Sequence, residues 1–230
     1  FSSVTINGTG DFTVSENATA TVAWTLTAAN DFTLGSGNSL AVGGTFANDL
    51  GGADTIWTDS TLYLYGSGNY EVNPKTVTDT YGILSVAPNT HIRIWNSDAS
   101  TTTVASTGSL YSMDHADTAG DLYIYGAYPG NGGTDYWSYV NDFDGTPLGG
   151  SSRKVDVFFE SGGSAVYNTG GLEVFGDSTA STTVQNQGSG TYSITLGGTA
   201  STSWSYYEVR DTDASGLTFT GTPTVSTLSF

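Results

Sequence analysis

The chain has 230 residues, 37% hydrophobic and 13% aromatic, with 31 Gly, no Cys and a formal net charge of −17. Disulfides and thiolate chemistry are thereby excluded, and five Lys and Arg in all are too few for the basic patches that nucleic acid or an anionic membrane surface requires. Helix formers are scarce, whereas 14 Tyr, 10 Phe and 5 Trp accompany many Val and Thr, so the fold class is all-β.

No apolar run approaches the length of a membrane span, so no membrane insertion is expected. The chain opens on Phe1 and not Met, which reads as a processed product or an excerpt of a longer chain, any signal peptide already removed.

In chain order, the first strand candidates are Val4–Ile6, Phe12–Val14 and Val22–Leu26. Phe32–Leu34, Leu40–Val42 and Thr55–Trp57 follow, then Leu62–Leu64, Tyr70–Val72 and Ile83–Val86. Ile92–Ile94, Thr102–Val104 and Leu110–Met113 complete a fourth set. Turn clusters separate them: Asn7-Gly8-Thr9-Gly10, Gly35-Ser36-Gly37-Asn38 and Gly66-Ser67-Gly68-Asn69. Within this series Leu62-Tyr63-Leu64-Tyr65-Gly66 returns as Leu122-Tyr123-Ile124-Tyr125-Gly126, and more loosely as Leu172-Glu173-Val174-Phe175-Gly176. Ile92-Arg93-Ile94-Trp95-Asn96 is a further copy, ending in Asn, which replaces Gly where φ is positive.

The starts at 62, 92 and 122 predict a period of thirty residues, hence a parallel β-solenoid with about thirty residues per coil. The likeness of 100–109 to 180–189 points the same way. The alternative is a β-sandwich or jelly roll, whose strands need not return in register. The whole chain, 1–230, reads as one domain, with a long aromatic loop thrown out at 128–152. Beyond it strands are expected at Val155–Phe159, Ala165–Tyr167, Leu172–Phe175, Tyr192–Leu196, Tyr206–Val209, Leu217–Phe219 and Val225–Leu228.

Candidate sites are few. Asp142 with Asp144, and Asp211 with Asp213, pair carboxylates two apart beside Gly, the oxygen-rich pattern calcium favours; ordinary Asx turns are the competing reading. No other cofactor is implied. Tyr128, Tyr136, Trp137, Tyr139 and Phe143 gather five aromatics in one segment, suited first to contact between subunits, then to self-packing, then to stacking on a glycan. Asn7 and Asn17 stand in Asn-Xaa-Thr sequons and are candidate glycosylation sites. Asp114-His115-Ala116-Asp117 is the one place where a His sits among carboxylates; it reads as a polar turn, with metal or acid–base work the alternative. With no phosphate loop, nucleophile elbow or zinc spacing, an enzyme is not expected.

The run Asp31-Phe32-Thr33-Leu34-Gly35-Ser36-Gly37-Asn38-Ser39-Leu40-Ala41-Val42-Gly43-Gly44-Thr45-Phe46 resembles the coils of extracellular parallel β-helices in autotransporter passengers and filamentous adhesins, and 207–225 resembles their repeat segments. The resemblance implies an exported, extracellular or cell-surface structural protein and carries over no catalytic residue. Some pectin lyases of that architecture also carry an Asp-His pair, but the basic residues they need are not evident around Asp114. The expected role is self-assembly into a filament, sheath or surface layer, the partner being the chain itself. A carbohydrate-binding adhesin domain or a polysaccharide-degrading β-helix is the alternative.

Overall fold

The computed structural model describes the chain except for residues 29–30, 51–53, 67–68, 73–77, 88–89, 97–100, 105–109, 114–121, 131–132, 140–154, 177–180 and 230. The described residues form strands and turns and no helix. The first nine strands are β1 (Ser3–Asn7), β2 (Phe12–Val14), β3 (Ala18–Ala20), β4 (Ala23–Ala28), β5 (Phe32–Leu34), β6 (Ser39–Val42), β7 (Thr45–Asn48), β8 (Thr55–Leu64) and β9 (Asn69–Val72). The middle of the chain forms β10 (Thr78–Val86), β11 (His91–Asn96), β12 (Thr101–Val104), β13 (Leu110–Met113), β14 (Leu122–Pro129) and β15 (Thr134–Tyr139). Then come β16 (Asp156–Phe159), β17 (Ser164–Tyr167), β18 (Gly171–Phe175), β19 (Thr182–Asn186) and β20 (Tyr192–Leu196). Last are β21 (Ser201–Ser205), β22 (Tyr207–Val209), β23 (Thr212–Phe219) and β24 (Thr224–Ser229).

These strands make three curled sheets of three, twelve and nine strands. Every registered pair among the described residues is parallel. Parallel sheets normally carry helices on both faces and read as unbroken apolar runs. Here the burial alternates instead, half-buried then buried along β6, β16, β17 and β21. One face of these strands is therefore covered, and with no helix among the described residues the sheets cover one another.

The bends lie inside long strands. In β8, Phe32 and Thr33 of β5 pair with Thr55 and Ile56, while β6 pairs with Thr61–Leu64. The turn between falls at Asp59, whose φ is 53°. In β14, Leu122–Ile124 pair with β16 and Ala127–Pro129 with β17. That bend is Gly126, φ 73°, and the matching Gly66 after β8 has φ 90°. Both recurring Leu-Tyr-Leu/Ile-Tyr-Gly copies thus end at a corner that needs the left-handed region, the task glycine does at no steric cost.

The thirty-residue period is corrected by the registers. Leu62 lies beside Leu40 and Leu84, twenty-two residues to either side, and not beside Ile92. Ile92 pairs with Leu122, thirty on, and Leu122 with Val157, thirty-five on. Near the N-terminus the offset is twenty, as between Phe12 and Phe32. The copy at 62 belongs to the twelve-stranded sheet and those at 92 and 122 to the nine-stranded one. The copies at 92 and 122 stack in register, whereas the copy at 62 recurs because strands ending at a corner share one local need. The likeness of 100–109 to 180–189 dissolves in the same way: β12 pairs with β10, and β19 with β16 and β22.

Inside, residues in neighbouring strands stack. Phe32 stands 6.3 Å from Phe12 and 5.1 Å from Trp57, which is 5.2 Å from Tyr81. Towards the C-terminus Trp137 approaches Phe159 and Trp204, and Phe159 lies flat on Tyr192 at 4.5 Å. Aliphatic residues such as Leu40, Leu62, Leu84, Ile92 and Leu122 fill the remaining interior and are fully buried. Each aromatic pair adds about 0.5–1.5 kcal/mol to the burial itself.

Candidate functional site

Two kinds of feature stand out from this frame: carboxylates sealed inside it, and the uncovered edges at its two ends. Asp79 on β10 is 1% exposed. Its Oδ2 accepts hydrogen bonds from Asn48 Nδ2 (2.7 Å), Thr55 Oγ1 (2.7 Å) and Trp57 Nε1 (2.9 Å), and its Oδ1 from the Thr80 amide (2.8 Å). Desolvation pushes its carboxyl above the usual range and outweighs the donors, which pull the other way. Asp135 on β15 is equally enclosed and accepts the hydroxyls of Tyr128 (2.9 Å) and Tyr167 (3.0 Å). Burial, and then the Asp135 charge, drives both phenols well above their ordinary value. Both are buried, and their hydrogen bonds knit strands together. Sequence reasoning missed them. The available signal was an Asp at an inward slot of an alternating strand, as in Asp135-Tyr136-Trp137.

At one end, β1, β2 and β3 each have a single hydrogen-bonded neighbour among the described residues, which leaves the other edge open. Phe1, Phe12 and Val22 are exposed there, Phe1 by 78%. Behind them a cavity of about 340 Å³ is lined by Phe1, Val4, Phe12, Val14, Ala18 and Trp24. The Trp24 side chain is buried, yet its indole Nε1 has no hydrogen-bond partner. Phe1 is tied down by its ammonium group, which donates to Thr19 O at 2.8 Å.

At the other end β22, β23 and β24 likewise have one open edge each. Phe219, Val225 and Leu228 are exposed by 40–42%. Arg210 beside β22 makes a two-pronged ion pair with Glu208, Nε to Oε1 at 2.7 Å and Nη2 to Oε2 at 2.6 Å. That hydrogen bonding holds the exposed Glu208 carboxyl below its usual range. Each of these edge strands presents unpaired N–H and C=O groups along its open side.

The predicted site residues are dispersed. Asp211 is exposed at a φ of 58°, and Asp213 Oδ1 accepts the Ser215 amide at 2.8 Å, an Asx turn. Among the described residues no three His, Asp or Glu come together to hold a metal. Asp142, Asp144 and Phe143 lie outside the described residues, as do Asp114 and His115. The segment expected to be a loop contains β15, with Trp137 fully buried, Tyr136 half-buried and Tyr128 buried against Asp135. The backbone of Tyr139 belongs to β15, and its side chain lies outside the described residues. Asn7 and Asn17 are exposed, and Asn17 Oδ1 accepts the Ser39 amide at 2.9 Å. No helix among the described residues is long and apolar enough to cross a membrane.

The chain matches no protein-family model, no curated protein and no solved structure.

Proposed function

We propose that the chain is a three-faced β-solenoid acting as an extracellular structural protein, with coils continuing from one copy into the next to build a filament, sheath or surface layer. The solenoid reading is supported by the order of pairing. Counted twice where they bend, β8, β10 and β14 let the described strands fall into three columns of nine, taken in rotation along the chain. Two gaps interrupt the columns: β7 approaches β9, and β12 approaches β14, without registered pairing. Coil length then varies from twenty residues at the start to thirty-seven between β14 and β17. Alternating burial in parallel strands supports it too, since a sheet wound on itself needs only one apolar face.

The assembly reading is carried by one observation: both ends present open parallel edges flanked by exposed apolar side chains. Unprotected edges of this kind pair with further strands. A head-to-tail contact uses two different surfaces, and where the rotation between copies does not close a ring it propagates as a line of copies. The cavity lined by Phe1, Phe12 and Trp24 would lie at that contact.

The test is sedimentation velocity over a wide concentration range, with negative-stain electron microscopy of the same samples. Concentration-dependent growth into rods or sheets is expected. A chain that stays monomeric throughout would sink the assembly reading while leaving the coil reading to be tested by fibre-like far-UV spectra and diffraction.

A further inference from the structure

A second surface, on the flank and one strand in from the open edge of β22, has the makings of a ligand site. After β16 the chain turns through Glu160–Gly163, and after β19 through Gln187–Gly190. These turns lie side by side, since Glu160 N donates to Ile124 O, Gln187 N to Phe159 O and Gly162 N to Thr191 O. Together with Tyr125 of β14 they enclose an open cleft of about 490 Å³, within the ~300–1,000 Å³ range of small-molecule sites.

The cleft is held in shape without any ligand. Asn186, buried at its floor, donates to Phe159 O and accepts the amides of Gly188 and Gly190, each at 2.9 Å. Glu160 Oε1 accepts the Gly126 amide at 3.1 Å, and Tyr125 donates its hydroxyl to Gln187 Oε1 at 2.9 Å. A ring is thereby fixed at one wall, with an amide, a carboxylate and the Ser161 and Ser189 hydroxyls around it. Beside the cleft, Tyr123 and Phe158 stack at 5.0 Å on the same outward side of the nine-stranded sheet, extending the aromatic shelf past Tyr125.

We propose that this cleft and shelf bind a neutral saccharide, one sugar ring lying on Tyr125 and its hydroxyls meeting Gln187, Glu160 and the serines. Sugar rings carry an apolar C–H face bounded by hydroxyls, and aromatic rings ringed by planar polar side chains complement both. Charge selects against the other small-ligand classes. Among the described residues no Lys or Arg lines the cleft, Glu160 does, and the whole chain is at −17, which disfavours phosphates, sulfates and uronates. A protein partner is disfavoured because the cleft offers polar groups and a single ring, not the packed apolar anchor that protein hot spots use. This inference does not depend on assembly.

The experiment is affinity electrophoresis of the full chain through gels containing hydroxyethylcellulose, xyloglucan, glucomannan or mixed-linkage glucan, with polygalacturonate and heparin as acidic comparators. Retardation by at least one neutral polymer is expected. Tyr125→Ala weakens it about tenfold, the effect of removing one stacking ring. Gln187→Ala, at an exposed position, weakens it about threefold through the loss of one neutral hydrogen-bonding partner. Tyr63→Ala, at an outward position on the twelve-stranded sheet, leaves it unchanged, and far-UV circular dichroism confirms that each variant folds. The proposal is overturned by no retardation in any neutral gel, by retardation in the acidic gels alone, or by equal retardation of wild type and both cleft variants.

Discussion

Replacing Asp79 by Asn should remove a distinct slope from the pH dependence of stability. The wild-type carboxyl is held above the ordinary aspartate value of 3.8, chiefly by desolvation, so between that value and its folded value the native state binds more protons than the unfolded one. Stability contributed by the protonated acid is fully present below about pH 4 and is lost as pH rises through the folded value. One proton limits the slope to about 1.4 kcal/mol per pH unit. Asn carries no such proton, so the wild-type-minus-variant difference should tilt across that window and be flat above it. Glu173, also raised by burial, and Glu208, lowered by Arg210, are common to both proteins and cancel. Urea midpoints from Trp fluorescence between about pH 3 and about pH 8 measure the difference. Parallel curves across the whole range would refute the assignment of a buried, raised carboxyl at this position. Asp79→Ala serves as a second check. It removes an acceptor shared by Asn48, Thr55, Trp57 and the Thr80 amide, and leaving such buried donors unsatisfied costs about 1–3 kcal/mol each at neutral pH.

Tyr167→Phe keeps the ring but deletes its hydroxyl from Asp135, and should lower stability by about 1.5–3 kcal/mol in denaturant unfolding, the range for a hydrogen bond to a charged acceptor. Gly44→Ala places a methyl group 2.0 Å from Val22 O, a backbone atom that cannot step aside. It should prise β4 and β7 apart and cost about 3 kcal/mol or more, read as a lowered melting temperature. The pair Val225→Lys with Leu228→Lys changes exposed residues of β24, so the unfolding midpoint should move by no more than about 0.5 kcal/mol. Growth into larger species should nevertheless be lost, because an edge lysine resists strand addition. The two charges reduce the net −17, which by itself favours association, so assembly at the wild-type concentration would count against the edge contact.

Much of the strand pattern was legible from residues alone. Phe12–Val14, Phe32–Leu34, Leu110–Met113 and Tyr192–Leu196 have the boundaries their alternation predicts. Of the strands that escaped notice, β15 lies in the segment read as a loop, and β3, β7, β19 and β21 consist mostly of Thr, Ser, Ala, Gln and Asn, with Phe46, Val184 and Trp204 as their large apolar residues. Their inward slots hold Ala20, Asn48, Thr182, Asn186 and Thr202, residues that count as polar or small by type but are buried once neighbouring strands supply partners. Thr202 shows how: its hydroxyl donates to Leu172 O at 2.7 Å and accepts Trp204 Nε1.

The candidate site was legible to a smaller degree. The aromatic cluster at 128–143 reads from sequence as a surface feature because its residues are close in the chain and flanked by Gly. Strand alternation sends Trp137 inward and Tyr136 outward, and Asp135 turns Tyr128 into an internal partner. Glu160, Gln187 and Tyr125 lie in three separate segments, and nothing local ties them together before the turns stack.

By itself, then, the sequence determined the all-β class, most strand positions, and the corners at Gly66 and Gly126. Those are local matters of propensity, alternation and permitted φ. Tertiary structure alone decided which strand lies beside which, that Leu62 meets Leu40 and Leu84 across twenty-two residues, and which polar groups are sealed inside. Register depends on the length of every turn between two strands, and a buried carboxylate depends on donors that arrive from other strands. Neither can be read from one segment of the chain.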